Sequence, residues 1–502
     1  MILNPYLIRD ITNNKNIPRG VSHCMRKSIK INALLNMIKQ VMQIVFPIIT
    51  IPYITRVLLP ENFGRINTGN SLISYITLIA GLGIASYAIR EGSLIRDDKE
   101  KLTKFSNQIF SINIISTIFS YVILAGIIFF VPHYAEYRLL LAIQGVAVIF
   151  TTLGADWINS IEEDYFYLTI RYIVLHIISL LLMFVLVKRP EDYLIYAGIT
   201  LITSAGANLM NIFYIRRYVK IRFTFDIDWK KHLIPIMILF GNSVAMTIYV
   251  SSDITMLEIF KGATEVGVYC VATKIYSIVK QILNAILIVS IPRMTSYIGK
   301  GDKENFKKLG RKILSALITL MCPLIVGIII FRTEAITLAG GSEYINGGNS
   351  LFILSLAVAA ALLATFLSGL VLMPLRKEKY ILRGTLISAL INVSLNFFFI
   401  PLWGINGAAT TTLISEMFVA IYFWYLVTRE GYRFLDIRVL LVSLVGGVLV
   451  ALLCVTVRHL INSFILYIGI SIITSVIVYG IVQIIGNNSV AKEMIPKLKR
   501  RL

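Results

Sequence analysis

Residues 31–55 read INALLNMIKQVMQIVFPIITIPYIT, and the reading of this stretch decides the fold. It is long and apolar enough to cross a hydrocarbon core of about 30 Å as a helix. Yet Lys39 stands near its middle, with Asn32, Asn36, Gln43 and Thr50 around it. Counted from Asn32 these positions fall at 0, 4, 7, 11 and 18, which is one face of a helix turning about 100° per residue. An ammonium near the bilayer centre costs about 3 kcal/mol or more, so it faces water or a partner. The stretch therefore predicts a membrane span that borders a wet interior.

The rest of the chain extends that reading. Of 502 residues, 57% are hydrophobic and 15% charged, with a mean hydropathy of +0.78. That composition lies outside the soluble range. Apolar runs of spanning length recur from end to end and predict an all-α polytopic membrane protein of about fourteen helices. Their expected positions are 31–55, 66–90, 106–131, 138–158, 168–187, 193–215, 233–257, 265–290, 313–332, 349–373, 380–400, 405–427, 438–457 and 463–485. In lipid the backbone must bond to itself, which favours helices here, since no alternating barrel strands are seen. Every loop is short, which leaves no room for a large soluble domain or an outer catalytic domain.

Charge supplies the orientation. Lys and Arg total 48 against 27 Asp and Glu, a net charge of +21. Clusters such as Arg216-Arg217, Lys303 to Lys312, Arg376-Lys377 and Lys497 to Arg501 fall on the side that holds both ends. The positive-inside rule then places both termini in the cytoplasm of a multi-pass protein. The same rule accounts for the basic balance, so nucleic acid is not an expected partner. The four cysteines are widely separated, which excludes zinc and redox pairs, and no metal site is expected. His176, alone in an apolar run, reads as a hydrogen-bonded core residue. Residues 1–24 are polar and read as a disordered cytoplasmic extension, with Met25 as an alternative start.

An internal repeat appears at a spacing near 204 residues. Asp98-Lys99-Glu100 pairs with Asp302-Lys303-Glu304, Lys104 with Lys308, and Ser111 with Ser315. Glu61 to Gly64 pairs with Glu265 to Gly267, and Glu136-Tyr137 with Glu343-Tyr344 at 207. Six spans per repeat give a parallel repeat: residues 25–222 form one six-helix bundle and 223–430 the other. Residues 431–502 hold an appended helix pair and a basic tail. Transporters of parallel-repeat design hold their cargo between the halves and expose it alternately to either side.

Polar stripes recur within the spans. In the eighth, Thr273, Ser277, Lys280 and Asn284 share a face, with Lys274 and Gln281 one step around. In the eleventh, Thr385, Ser388, Asn392 and Asn396 repeat the pattern, and bonding between packed helices accounts for it equally well. Lys39, Arg90, Lys274 and Lys280 are the candidate contacts for an anionic headgroup. Arg90 reads equally as an interfacial anchor. Asn32, Asn36, Gln43, Ser277, Asn284 and Asn392 are the candidate polar lining. Asp156, Asp253 and Glu416 are candidates for coupling to H+ or Na+, or for neutralising a lysine.

Several stretches resemble the Wzx-type polysaccharide flippases of the multidrug/oligosaccharidyl-lipid/polysaccharide exporter superfamily. They are Tyr53 to Gly64 (YITRVLLPENFG), Gly83 to Glu91 (GIASYAIRE), Asp156 to Tyr165 with Arg171, and Asp253-Ile254-Thr255-Met256-Leu257 followed by Glu265 to Tyr269. One departure stands at Leu58-Leu59-Pro60, where many members of the family carry Gly before the proline. The resemblance implies two six-helix bundles around a central cavity, with helices 13 and 14 as an extra pair. It implies a cargo: an oligosaccharide repeat unit on undecaprenyl pyrophosphate, moved from the inner to the outer leaflet of the bacterial plasma membrane by a monomer. A polysaccharide polymerase and glycosyltransferases are the expected partners, no cofactor is required, and no catalytic residue is expected. The alternatives are a flippase for the peptidoglycan precursor, a drug or metabolite exporter, and, least favoured, a membrane polymerase or ligase.

Overall fold

The computed structural model describes residues 19–461 and 463–491, with the backbone alone at 19–36, 242, 464 and 465. Most of the expected 1–24 extension thus lies outside the described residues, and the first helix runs from Arg19. All regular structure among the described residues is helical. Twelve helices are long and apolar enough to cross a membrane. Two of these are far too long for one crossing: 63 residues in Arg19–Gly81 and 52 in Glu378–Arg429. Straight, they would measure about 95 and 78 Å. Each breaks once at a residue with positive φ, Leu59 and Gly404 respectively. In the second, Ser388 Oγ reaches the carbonyl of Ser415 at 2.9 Å, contact that only a hairpin allows. Counting both as hairpins gives fourteen crossings, with both ends of the chain on one side.

We number the crossings as spans 1 (19–58), 2 (60–81), 3 (Lys99–Phe130), 4 (Pro132–Gly154), 5 (Tyr165–Leu186), 6 (Pro190–Arg217), 7 (Trp229–Lys261), 8 (Ala263–Gly299), 9 (Lys303–Ile330), 10 (Ser342–Leu372), 11 (378–403), 12 (405–429), 13 (Ile437–Leu460) and 14 (Leu466–Ile485). Span 2 ends nine residues earlier than its hydropathy suggests. Leu82 and Gly83 both take positive φ, and Ile84–Leu94 follows as a separate helix. Span 4 stops at Gly154 for the same reason, since Ala155 adopts the left-handed conformation.

Helix starts on the terminal side share one device. Asp98, Asp164, Asp228, Asp302 and Asp436 each cap a span by accepting a backbone N–H of the first turn. The cap satisfies donors that have no partner within the helix. Asp98 and Asp302 play the same part 204 residues apart. Both carboxyls lie below the usual carboxylate range: a side-chain bond from Lys101 and one from Asn305 lead the causes, followed by the capping N–H of each.

We call spans 1–6 and 7–12 the two lobes; they pack together on the side away from the termini, and on the terminal side the start of span 7 meets the first lobe, where His232 bonds Tyr87 and Gln108 at 2.8 and 2.9 Å. A single apolar cluster joins them on the side away from the termini: Ile54, Leu58, Phe63 and Ile66 pack with Val266, Tyr269, Leu351 and Ala408. Toward the terminal side the core splits. One cluster holds Ile109, Trp157 and Ile215 with Ile236, and another holds Phe306, Leu367 and Phe434 in the second lobe. Closest approach falls at two glycines. A Cβ added to Gly64 would lie 1.7 Å from the Ala263 carbonyl oxygen, and one added to Gly267 would lie 1.9 Å from that of Pro60. These residues are related by an offset of 203, so the repeat packs against itself. Spans 13 and 14 dock outside the bundle on span 9, where Tyr479 bonds the Thr319 carbonyl at 2.8 Å. Arg458 and Tyr467 hold Glu334 at 2.9 and 2.8 Å.

Leu59 carries the backbone cost of the first hairpin. Its φ of 61° and ψ of 169° belong to a region that glycine alone enters freely. Leu59→Gly is expected to raise stability by about 1–3 kcal/mol. Thermal unfolding of the purified protein checks this, and a lower midpoint would mean that the half-exposed leucine side chain outweighs the strain.

Candidate functional site

Span 8 shows where the lobes part. Val266 to Ala272 are buried, whereas Lys274 and Gln281 farther along are exposed. Span 1 behaves alike: Ile51, Ile54 and Leu58 are buried, and Gln40 and Gln43 are exposed. Polar side chains exposed at mid-span are unfavourable against lipid, so these faces call for water or a polar partner. Ser277 and Asn284 are partly exposed on span 8. The side chains of Asn32 and Asn36 lie outside the described residues.

The four predicted cations do not share one environment. Lys274 is exposed and has no carboxylate partner among the described residues. Lys39 is half-buried, its Nζ 5.7 Å from the centre of the Tyr172 ring and within electrostatic reach of Asp156 and Arg171. His176 beside it bonds the Tyr172 carbonyl at 2.9 Å, as a core histidine would. Lys280 corrects the expectation of an unneutralised interior. Its Nζ lies 3.1 Å from Glu416 Oε1, and Tyr276 donates to the same oxygen at 3.1 Å. Arg90 stands apart from the interior on the short helix Ile84–Leu94, exposed and paired with Glu91 at 2.9 Å. That is the anchor alternative.

The acids sort as clearly. Asp156 is the counter-ion of Arg171 at 2.7 Å and also accepts from Asn211 at 3.0 Å. Glu416 is committed to Lys280. Asp253 has no cation partner among the described residues. Its Oδ1 accepts from Asn396 at 2.7 Å, and its Oδ2 from Thr412 at 2.7 Å and Tyr269 at 3.0 Å. Spans 7, 8, 11 and 12 thus converge on one carboxylate. The span 11 stripe exists to build this shell. Asn392 is buried, accepts from Ser252 at 3.1 Å and from Asn396 at 3.3 Å, and leaves its own amide nitrogen without a partner. Asn392 therefore joins helices and does not line the interior, a correction to its expected role. The groups turned on Asp253 are hydrogen-bond donors, the amide of Asn396 and the hydroxyls of Thr412 and Tyr269, which satisfy an ionised carboxylate. No group of three or more His, Cys, Asp or Glu able to hold a metal occurs among the described residues.

Two participants escape a sequence reading. Arg171 lies inside span 5, and its position in an apolar run is itself the signal that it needs a partner. Glu258 is buried on span 7, accepting from Tyr137 and, at 3.3 Å, from Thr68. Hydropathy ends that span at residue 257 and so places Glu258 in a loop, where an acid attracts no notice.

The profile of a family described as "Polysaccharide biosynthesis protein" matches residues 29–298, just over half of the chain, and that of the MatE family matches 238–398. Two proteins named "Putative O-antigen transporter" are similar to the chain. The one from Escherichia coli (strain K12) is 21% identical over 271 residues, 54% of this chain and 65% of that one. The one from Shigella dysenteriae is 22% identical over 401 residues, 78% of this chain and 98% of that one. Among solved structures, "Lipid II flippase MurJ, inward closed conformation" superposes with a TM-score of 0.70 at 15% identity, covering 93% of this chain and 99% of that one. At that identity the likeness is one of fold.

The Lys280–Glu416 pair is buried enough to make its halves interdependent. Removing one partner strands the other, whereas removing both leaves apolar packing. Glu416→Gln is expected to destabilise by about 3 kcal/mol, and Glu416→Leu combined with Lys280→Leu to return to within about 1 kcal/mol of the parent. A double-mutant cycle on thermal midpoints decides it; additive losses would deny the coupling.

Proposed function

The chain belongs to the polysaccharide biosynthesis protein family, and from that premise we propose that it is a transporter that moves a polyprenyl-pyrophosphate-linked oligosaccharide repeat unit across the bacterial plasma membrane. Both termini lie in the cytoplasm in this reading, and cargo travels from the inner to the outer leaflet. One observation carries it: the lobes are sealed away from the termini, and below the seal spans 1 and 8 expose polar faces that bear Lys39 and Lys274. Pyrophosphate entering from the terminal side meets these ammonium groups, and charge-assisted hydrogen bonds hold it. Gln40, Gln43, Ser277 and Gln281 offer amide and hydroxyl groups to the sugars. The polyprenyl chain remains in lipid between the lobes. Opening on the other side then delivers the headgroup, with no bond made or broken. A cationic drug as cargo is disfavoured by the same lysines.

Coupling to an ion is assigned to Asp253. Of the three acids considered, Asp156 and Glu416 already have a cation, while Asp253 has only neutral donors. A bound Na+ would neutralise the carboxylate there, with the Asn396 amide and the Thr412 hydroxyl turned from donating to offering their oxygen atoms. Because spans 7, 11 and 12 meet at this point, occupancy would bias how the second lobe packs.

Two measurements test this reading. Lys274→Ala and Lys39→Ala are each expected to slow translocation of a lipid-linked oligosaccharide in reconstituted vesicles about tenfold, the loss of one charge-assisted contact worth roughly 1.4 kcal/mol. Unchanged rates at equal protein levels would remove the cations from the cargo path. Asp253→Asn is expected to abolish the dependence of that rate on a Na+ gradient while Asp156→Asn preserves it; a gradient dependence that survives Asp253→Asn would relocate the ion site.

A further inference from the structure

The second lobe carries an apolar groove of about 440 Å³. Leu314, Ile318 and Met321 of span 9, Ala360 of span 10, and Ile421 and Trp424 of span 12 line it. Met417 and Ile421 on its rim are 46% and 64% exposed, as side chains that meet lipid are. Leu435, in the connection 430–436 that crosses from span 12 to span 13, bounds it on the terminal side. Neither span 1 nor span 8, which bear Lys39 and Lys274, lines this groove.

The span 9 wall continues into charge. Lys307, Arg311, Leu314, Ile318 and Met321 fall at 0, 4, 7, 11 and 14, one face of the helix. The stripe that lines the groove therefore ends, toward the terminal side, in two exposed cations. Lys307 Nζ lies 5.5 Å from the centre of the Tyr432 ring, which places it against the connection 430–436. Arg433, exposed in that connection, stands two residues before the groove-lining Leu435. The acids of the connection are engaged elsewhere: Glu430 pairs with Lys377 at 2.9 Å, and Asp436 caps span 13. Glu304 stands one turn farther out on the face of Lys307 and is outnumbered. Orientation does not account for these cations. At the repeat offset of 204 the first lobe has Thr103 and Asn107 at the same places on the same side. There the link to span 7 lies over span 3, with the Arg222 N–H donated to Asn107 and that of Thr224 to Ser111, each at 2.8 Å.

We propose that this groove is a binding site for an anionic phospholipid of the leaflet on the terminal side, with an acyl chain along Leu314, Ile318 and Met321 and the phosphodiester at Lys307, Arg311 and Arg433. Size argues against a partner helix: one about 10 Å across, with turns of about 5.4 Å, displaces about 420 Å³ per turn, so the groove admits a single turn. An acyl chain is slender enough to lie along it, and each buried methylene adds to its hold. The charge at the mouth selects the headgroup, since Lys and Arg at this depth attract anionic lipid and bind phosphate oxygens through charge-assisted hydrogen bonds. A cargo chain is slender too, but the cargo headgroup in the reading above lies at spans 1 and 8, away from this groove. The bound lipid joins span 12 to span 9 and to the start of span 13.

Trp424 in the groove wall supplies the readout, and no cargo or transport is needed, so this inference and the transport reading fail separately. The full chain with Trp157→Phe, Trp229→Phe and Trp403→Phe keeps Trp424 as its sole tryptophan. It is placed in phosphatidylcholine vesicles that contain a rising fraction of phosphatidylglycerol brominated on its chains. Half-maximal quenching is expected at a fraction about fivefold lower than with brominated phosphatidylcholine. Lys307→Gln combined with Arg311→Gln is expected to bring the two curves together and to leave quenching by brominated phosphatidylcholine as it was. Native mass spectrometry of the parent chain, which needs no change of tryptophan, is expected to retain one phosphatidylglycerol under conditions that strip phosphatidylcholine. Coincident curves or equal retention in the parent, a preference that survives the double substitution, or quenching reversed by an equal amount of unbrominated polyprenyl phosphate, which gives the groove to a cargo chain, would each overturn the proposal.

Discussion

How near two helices can come depends on what stands between their backbones. Here the answer at the sealed end is nothing. Gly64 faces the Ala263 carbonyl and Gly267 faces that of Pro60 with no room for a Cβ. Small residues permit such approach, and in lipid, where apolar surface gives little drive to associate, close packing supplies much of the attraction between helices. Toward the terminal side the apolar core continues as two clusters, one of which carries Ile236 of span 7 into the first lobe.

Buried charge follows from the same frame. A carboxylate inside the bilayer needs a cation, a set of donors or water. The chain uses the first two in different places. Glu416 and Asp156 have cations, Lys280 and Arg171, and are thereby fixed. Asp253 and Glu258 have neutral donors only. A charge held by neutral hydroxyls and amides keeps the freedom to exchange its proton or take up a cation, which an ion pair does not. The distinction separates structural acids from those that respond to their surroundings.

Much of this was legible in the chain. The hydropathy pattern predicted fourteen crossings, and the repeat found through Asp98 and Asp302 reappears as two helix caps of one form. What escaped has physical causes. Positive φ at Leu82 and Ala155 leaves no mark in a hydropathy plot, so spans 2 and 4 were drawn too long. The charge on Lys280 could be placed in an interior, but its partner lay 136 residues away on another helix. Spacing on one helix cannot reveal what another helix brings to it. The stripe on span 11 had two readings, and Asn392 and Asn396 took the helix-joining one because a buried carboxylate was present to be satisfied. Glu258 lies one residue past the end that hydropathy gives span 7, whereas the helix runs four residues further, to Lys261, and helix ends are where sequence boundaries are weakest.

The repeat offset of 203 carries one more consequence. It maps Asp253 onto Thr50, Glu258 onto Thr55, Lys274 onto Ser71 and Lys280 onto Thr77. Each of these four charges of the second lobe has a hydroxyl in the first. Thr55 and Ser71 spend theirs on packing: Thr55 bonds the carbonyls of Ile51 and Ala339, and Ser71 bonds that of Ser251. The reverse also holds, for Lys39 of the first lobe maps onto Asn242. Duplication thus accounts for the shared frame, the paired glycines and the paired tyrosines, while these five ionisable groups each sit on one copy alone. Two lobes with equal charges at equal heights would repel wherever they meet. Charge on one side against hydroxyl on the other lets the interface close without an uncompensated like pair.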